Sequence, residues 1–367
     1  NNRVYDTGRQ LPTAGPAINI IDVGAKVSGN IIHNLPSQAI RYEGNDNLIT
    51  HNEIYNVARI TSDSGAIYAG RHFNEFGNEI AYNYIHSGSR NVIDPAGTTI
   101  QAIFWDDQQS GQYAHHNVID RFDRGVLIGG GLYNRVENNI IMNNRQTMLV
   151  DDRGHHNNWT DPGGQIYNAL VAVPYDQPPY TVKYPELATI LTEAPGPKYP
   201  HSNVISNNLY LNNIFGPSIA ADAVTYAEDI SNNHTVTEDP GFVDPDNQNF
   251  GLEPSAPILS SLPGLADIDF DDIGLQTDVY RTAITAADLD FRLAHPLDGA
   301  TGVPTINTTF AWDAADGADR YTLTIATDPG MTNVVLQEEV MYNSAVVNGL
   351  DSGEVTYYWT VEAENIS

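Results

Sequence analysis

The chain has 367 residues, 41% of them hydrophobic, which is enough for a packed core and excludes wholesale disorder. Its 46 acidic residues against 17 Lys and Arg give a formal net charge of −29, which disfavours nucleic acid and anionic membranes as partners. No apolar run reaches the roughly 18–20 residues that span a bilayer, so we expect no membrane insertion. The absence of cysteine suits an exported bacterial protein, which we expect to be secreted or at the cell surface.

A short phrase built on asparagine recurs through the first two thirds of the chain. Its successive copies are 22, 31, 34, 22 and 69 residues apart, and they centre on Asn30, Asn52, Asn83, Asn117, Asn139 and Asn208. A base period of 22 with insertions is typical of a solenoid whose coils carry variable loops. Stacked parallel strands place equivalent residues of successive coils side by side, so we predict an internal ladder of structural asparagines in equivalent turns.

A strand-sized apolar run precedes each of these asparagines. The runs cover 39–41, 66–68, 102–104, 126–128 and 148–150, and Gly, Asn or Asp follows each one. Helical periodicity is nearly absent up to residue 250. We therefore predict an all-β chain in which 1–275 form a right-handed parallel β-helix, the catalytic domain, with two or three strands per coil.

The remaining segments follow in chain order. We expect the excursion at 154–200, rich in Tyr and Pro, to fold over one face and form a wall of a cleft. The run 239–254 predicts a closing strand pair, and 276–290 a linker. Alternating residues from 291 to 367 resemble a fibronectin type III or immunoglobulin-like β-sandwich, with Trp312 and Trp359 in its core. We expect this sandwich to lack about one strand at Ser367 and the chain to belong to a precursor with further domains.

Charged residues and glycines interrupt the pattern just after the strands. With the apolar runs aligned on their middle residues, the predicted columns are Glu43, Gly70, Asp106, Gly130, Asp152 and, beside it, Gly44, Arg71, Asp107, Gly131, Arg153. Glycine leaves space for a ligand close to the backbone. We therefore predict a groove whose substrate-binding residues are Tyr68, Arg71, Trp105, Gly129, Gly130, Asp151, Asp152 and Arg153, with Trp105 as a platform for a sugar ring.

Three aspartates are the candidates for catalysis. A glycosidase needs one protonated and one ionised carboxyl, and adjacent acids push their pKa values apart. Asp106 and Asp107 are the first candidates, and Asp63 is either the second carboxyl or a turn cap. A straight strand would separate Asp63 from Asp106 by over 20 Å at about 3.3 Å per residue, so the pair requires a bend. Without one, the second role moves to Asp151 or Asp152.

Six phrases in order carry a family resemblance: DSGAIYAGR, FWDDQQSG, GVLIGGG, VDDRG, YPELATIL and DPGFVDP. Over roughly 15–275 the chain resembles secreted bacterial β-helix proteins of glycoside hydrolase family 141, which includes α-L-fucosidase and xylanase activities. The resemblance implies hydrolysis by two acids on adjacent coils, here Asp63 and one of Asp106 and Asp107.

The expected function is therefore hydrolysis of a plant or algal polysaccharide or oligosaccharide, with no required cofactor and no assigned metal ligand. Calcium remains possible, because a polysaccharide lyase could use Asp106, Asp107, Asp151 and Asp152 as a Ca²⁺ cluster with Arg71 or Arg153 as base. The acidic surface disfavours the anionic substrate of a lyase. A third alternative is a non-enzymatic glycan-binding adhesin or surface-layer component.

Overall fold

The computed structural model describes the whole chain except residues 6, 9–14, 89–98, 278, 280–292, 297–298, 313–319, 341–343, 352, 354 and 365–367. The described residues between 3 and 236 wind into a parallel β-helix with three strands per coil, which confirms the predicted fold. Most of the predicted linker, 278 and 280–290, lies outside the described residues. No helix of the described part is both long and apolar enough to cross a membrane.

Each coil contributes one strand to each of three parallel sheets, which we call sheets A, B and C. Sheet A contains Arg3–Tyr5, Ile31–His33, Glu53–Tyr55, Tyr84–His86, Val118–Asp120, Ile140–Met142, Leu209–Leu211 and His234–Val236. Sheet B contains Ile18–Ile21, Ile40–Glu43, Ser64–Gly70, Ile100–Asp106, Arg124–Gly129, Gln146–Asp151 and Ser218–Ile219. Sheet C contains Lys26–Ser28, Leu48–Thr50, Asn78–Ala81, Gln112–His115, Arg135–Glu137, Val204–Ser206 and Asp229–Ser231.

The predicted asparagine ladder is confirmed, and it lies at the corner between sheets C and A. Each side-chain oxygen accepts hydrogen bonds from the backbone and amide nitrogens of the asparagine one coil earlier, as Asn139 Oδ1 does from Asn117 at 3.0 Å for both. The same contacts join Asn30, Asn52, Asn83, Asn117, Asn139, Asn208 and Asn233. The residue before each ladder asparagine has a positive φ, between 50° at Asn232 and 66° at Gly29. The turn is therefore repeated in conformation as well as in sequence.

A second amide column, which the sequence did not reveal, lies at the corner between sheets B and C. Asn47 donates both its backbone and its side-chain nitrogen to Asn78 Oδ1, each at 3.0 Å. Further along, the backbone nitrogen of Gln112 donates to Asn134, and that of Asn134 to Asn203. The column is less visible in the sequence because one position is a glutamine and the loops around it differ in length.

The segment after the last coil returns along the outside of sheet A instead of simply closing the end. The strands Phe242–Asp244 and Asn249–Leu252 form an antiparallel pair, with the 3₁₀ turn Pro245–Asn247 between them. Three further 3₁₀ turns follow at Pro257–Ser260, Pro263–Asp267 and Phe270–Asp272. Its apolar side chains pack on outward residues of sheet A such as Val118 and Ile140. Near its end, the Gly274 N–H donates to the His51 carbonyl at 2.9 Å. Burial of this apolar outer face explains the return path.

The long excursion between the last two full coils is compact. It contains the helices Gln165–Val171 and Tyr180–Lys183 and the 3₁₀ turns Arg153–His156 and Pro185–Ala188. Ile166, Leu170 and Leu187 pack against Phe73 and Phe76 of the corner between sheets B and C. One more short helix, Ala221–Thr225, follows the last strand of sheet B.

The C-terminal residues form two small antiparallel sheets. One contains Leu293–His295, Thr308–Trp312 and Ser344–Val347, and the other Arg320–Ala326, Val334–Val340 and Tyr358–Glu364. Phe310 and Trp312 of the first sheet share a core with Leu323 and Val361 of the second, which makes the unit a β-sandwich. Trp312 is fully buried as predicted, and Trp359 packs on Phe310. The finer likeness to fibronectin type III stays a prediction.

Candidate functional site

The register of sheet B corrects the predicted columns by one residue in two coils. Ile103 pairs with Val126, and not with Leu127. Because Trp105 pairs with Ile128, and Gly129 with Asp151, the column through Asp106 continues as Gly129 and Asp151. The alignment on the middle of each apolar run therefore slipped by one residue. Since neighbouring side chains of a strand point to opposite faces, this slip exchanges interior for exterior positions.

Arg153 gathers three aspartates from two coils. Its Nη1 donates to Asp106 Oδ1 at 2.6 Å and to Asp107 Oδ1 at 3.0 Å. Its Nε and Nη2 bind Asp151, with Nη2 2.7 Å from Oδ2. We call Asp106, Asp107, Asp151 and Arg153 the carboxylate cluster. It lies at the end of sheet B, where the chain turns towards sheet C.

Two further side chains hold the cluster from the preceding coil. Arg71 Nε donates to Asp107 Oδ2 at 2.8 Å, and the Tyr68 hydroxyl donates to Asp106 Oδ2 at 3.1 Å. The backbone departs from strand geometry here, because Asp107 and Gln108 follow one another with φ of 38° and 63°. Consecutive left-handed residues are costly, and such strain persists only where surrounding contacts fix it.

The two adjacent aspartates differ electrostatically. Burial raises the pKa of Asp106 to about 6, and the charge of Asp107 adds to that rise against the opposing effect of Arg153. Asp107 accepts hydrogen bonds from both Arg71 and Arg153, whereas Asp106, of these two arginines, accepts one from Arg153 alone and lies 3.9 Å from Arg71 Nη2. The hydrogen bond to Asp107 raises the pKa of Arg71. Burial lowers the pKa of Arg153, but its contacts with Asp151, Asp106 and Asp107 together raise it. The cluster thus pairs a carboxyl that can hold a proton near neutrality with one beside two fixed positive charges.

The predicted glycine floor has a different role. A side chain at Gly129 would meet the Arg153 guanidinium at 2.9–3.0 Å, and one at Gly130 would meet Arg153 Cγ at 3.2 Å. These glycines make room for Arg153, which covers them, so the prediction that they line an open groove is wrong. Gly70 leaves space beside the Tyr68 hydroxyl and Asp106 Cβ.

Trp105 was predicted as a sugar platform, and this is wrong. Its side chain is fully buried in the solenoid core, and its indole nitrogen donates to the Tyr42 hydroxyl at 2.9 Å. Strand alternation gives the reason, because Asp106 is one residue away and faces the other side. Sequence alone could not settle which of the two faces outwards.

Asp63 and Asp152 lie outside the carboxylate cluster. Asp63 is exposed at the start of the strand Ser64–Gly70, while Gly70 at its other end pairs with Asp106. Asp63 has no hydrogen bond to the cluster within the described residues, although its negative charge adds slightly to the rise in the pKa of Asp106. The Asp152 carboxylate approaches His155 at 4.0 Å and His156 at 3.9 Å, and within the described part of the chain it makes no ion pair with the cluster.

Sequence reasoning missed Glu75, which is buried in the corner beside the cluster. Its carboxylate accepts a hydrogen bond from Gln109 Nε2 at 3.3 Å and lies 3.5 Å from His72 Nδ1. Burial raises the pKa of Glu75 to about 7 and lowers the pKa of His72. The only signal in the sequence was an acidic residue between two phenylalanines, Phe73 and Phe76.

The excursion lies on the same edge as the carboxylate cluster, where we predicted it. Gln108, next to Asp107, donates its side-chain nitrogen to the Pro197 carbonyl at 2.9 Å. Tyr184, from the middle of the excursion, donates to Asp46 Oδ1 at 2.6 Å at the same corner of an earlier coil. Its role as the wall of a substrate cleft stays a prediction.

Comparison with known proteins identifies no family for the chain. No protein-family model matches the chain, and no curated protein matches it. The likeness to glycoside hydrolase family 141 therefore stays a prediction.

Proposed function

We propose that this protein is a glycoside hydrolase in which Asp106 is the proton donor and Asp107 the second catalytic carboxylate. The observation that carries the proposal is that two aspartates bond the same nitrogen of Arg153 while their environments differ. One has a pKa raised to about 6, and the other accepts from two guanidinium groups. A pair of carboxyls with opposite protonation is what glycoside cleavage requires.

The spacing of the two carboxyls favours a retaining reaction. Asp106 Oδ1 and Asp107 Oδ1 lie 2.6 and 3.0 Å from one nitrogen, so they can be no farther apart than the sum of these distances. That limit lies below the roughly 6.5–9.5 Å of inverting enzymes, so of the two mechanisms only the retaining one, at roughly 5–5.5 Å, is compatible with it. Asp106 would then protonate the leaving oxygen while Asp107 attacks the anomeric carbon.

Access to the pair is from the side of Arg71. The Arg71 side chain is 48% exposed, whereas the two aspartates are 10–11% exposed. Sugar hydroxyls that replace the bonds of Arg71 and Tyr68 would reach Asp107 Oδ2 and Asp106 Oδ2. We therefore keep Tyr68 and Arg71 as substrate-binding residues and assign the positioning of both acids to Arg153.

The lyase alternative is less well supported by the same contacts. A lyase base must be able to lose a proton, but the pKa values of Arg71 and Arg153 are both raised. The position between Asp106, Asp107 and Asp151 that a Ca²⁺ ion would need holds the Arg153 guanidinium. Glycan binding without turnover remains the non-enzymatic alternative.

The test is a screen of neutral plant and algal glycans with and without a chelator. We expect reducing ends to appear without the ultraviolet absorbance of unsaturated products, and this release to persist in the presence of the chelator. Asp106→Asn should lower turnover by about 10²–10⁴-fold, the range for loss of a general acid. Asp107→Asn should reduce it comparably, while Asp229→Asn, in the sheet C strand Asp229–Ser231, should keep it.

Three results would contradict or change the proposal. Full activity in both Asp106→Asn and Asp107→Asn rules out this pair. A loss in Asp63→Asn together with Asp106→Asn, with Asp107→Asn active, transfers the second role to Asp63. Unsaturated products that disappear with chelation identify a lyase.

A further inference from the structure

The 3₁₀ turn Arg153–His156 contributes Arg153 to the carboxylate cluster and His155 to a second group of side chains. Asp152 precedes the turn, His155 lies within it, and Asp222 comes from the helix Ala221–Thr225. One donor atom of each lies within 4.8 Å of the other two. His155 Nδ1 is 3.6 Å from Asp222 Oδ2 and 4.0 Å from Asp152 Oδ2.

These contacts are too long for hydrogen bonds, for which N···O is about 2.7–3.2 Å. They leave space between three convergent donors instead of closing it. Within the described part of the chain, neither carboxylate pairs with a Lys or Arg; the only basic side chains near them are histidines. Two like charges therefore converge on one imidazole nitrogen without a permanent positive charge to balance them.

The three donors are held by the solenoid itself. Asp152 and His155 follow the sheet B strand Gln146–Asp151, and Asp222 follows its neighbour Ser218–Ile219 in the next coil. His155 also packs edge-on against Tyr199, at 4.4 Å between ring centroids. The side chains of all three are 25–40% exposed, so an ion in solution can reach them.

We propose that Asp152, His155 and Asp222 form a binding site for a divalent first-row transition metal such as Zn²⁺. An imidazole nitrogen with carboxylate oxygens suits such ions, whereas Ca²⁺ and Mg²⁺ prefer sets made of oxygen alone. Zn²⁺ binds these ligand types at about 2.0–2.2 Å, so the three side chains close slightly around the ion. Three protein ligands leave at least one position for water.

The site has a structural consequence that is independent of the hydrolase proposal. The turn that places His155 towards the metal also carries Arg153, whose guanidinium holds Asp106, Asp107 and Asp151. A bound ion would join two coils and fix that turn. Metal binding is therefore tested on the protein directly, and its failure leaves the catalytic proposal untouched.

The experiment is calorimetric titration of the chelator-treated full chain with Zn²⁺ and, separately, with Ca²⁺. We expect one Zn²⁺ per chain at this site and no matching Ca²⁺ binding. His155→Ala and Asp222→Asn should each weaken that Zn²⁺ binding by at least roughly tenfold. His234→Ala and Asp229→Asn, which change the same residue types outside the three-residue group, are the matched controls and should bind like the wild type.

Circular dichroism of each variant checks that it is folded, and Asp222→Asn, in a short exposed helix, keeps the test available if His155→Ala is unstable. Cobalt absorbance then reports the ligands, since the wild-type spectrum should be lost in both variants. The proposal is overturned if the wild type takes up no Zn²⁺, if folded Asp222→Asn binds it as tightly as the wild type, or if Ca²⁺ binds there more tightly.

Discussion

The corner between sheets C and A and the corner between sheets B and C stack successive coils in different ways. At the corner between sheets C and A, a left-handed residue precedes each ladder asparagine, and all of these asparagines except the last are buried, as in Asn117 and Asn139. At the corner between sheets B and C, successive coils differ in length and hold Arg71, Asp107 and a long excursion. The stacking of coils requires only the arrangement at the corner between sheets C and A, because equivalent asparagines of neighbouring coils satisfy one another's hydrogen bonds.

The difference separates a corner stabilised by neutral hydrogen bonds from a corner that contains buried charged groups. The repeated corner buries neutral amides whose partners are copies of themselves. The irregular corner buries carboxyls that need specific partners, and Arg153 supplies three of these contacts from a single side chain. Four experiments can break or sharpen this comparison.

The largest effect should come from Arg153→Gln. This change leaves Asp106, Asp107 and Asp151 without their shared partner, and loss of one side of a buried ion pair costs about 3–5 kcal/mol. We expect that loss in the free energy of unfolding by urea near neutral pH, and a smaller one in acid, where Asp106 is protonated. Arg71→Gln, at a half-exposed side chain, should cost about 1 kcal/mol or less. Equal losses in the two variants would contradict the central role of Arg153.

The next effect concerns the repeated corner. Asn139→Ala removes side-chain hydrogen bonds to the Ala114 and Glu137 carbonyls and to Asn117 and Asn208. Several buried groups lose partners, at about 1–3 kcal/mol each before relaxation, so we expect a net loss of about 2–4 kcal/mol.

The matched control is Asn233→Ala, at the last and partly exposed step of the same ladder. Water can replace the lost contacts there, so a loss of about 1 kcal/mol is expected in the same urea measurement. If the two variants were equally destabilised, the ladder would not depend on burial.

A third effect is pH-dependent and involves Glu75. Its pKa is raised from 4.5 to about 7, so the native state binds more protons than the unfolded state between these values. Stability should therefore fall as the pH rises through this window, and the full penalty is present above about pH 7. Glu75→Gln should be more stable than the wild type by about 3 kcal/mol in mildly alkaline solution and equal to it near pH 4. A constant difference at every pH would refute the assignment.

The smallest effect separates the two carboxyls of the cluster. Tyr68→Phe removes a hydrogen bond that favours the ionised form of Asp106, so the pKa of Asp106 should rise further, by about one unit or less. Carbon-detected NMR titration of the side-chain carboxyls measures this without a substrate. A titration of Asp106 that stays at about 6 in the variant would show that the hydroxyl does not act on it.

The site was predicted in part. Asp106, Asp107, Arg71, Asp151 and Arg153 were selected because charges next to glycines are unusual in a stacking solenoid, and the structure brings these five together. The error was a shift of one residue in two coils, those of the strands Arg124–Gly129 and Gln146–Asp151. Apolar runs such as 126–128 and 148–150 are uniform enough to be aligned in two ways, and only the hydrogen-bonded register of sheet B distinguishes them.

The sequence by itself determined the period, the solenoid and the ladder. A turn that repeats its residue and its conformation at each coil leaves a fixed spacing in the chain, and that spacing is visible without any knowledge of contacts. Only the tertiary structure decided that Trp105 lies inside while Asp106 lies outside, that Arg153 covers Gly129, and that Glu75 is buried. These outcomes depend on strand alternation and on contacts between residues dozens of positions apart, which local patterns do not record.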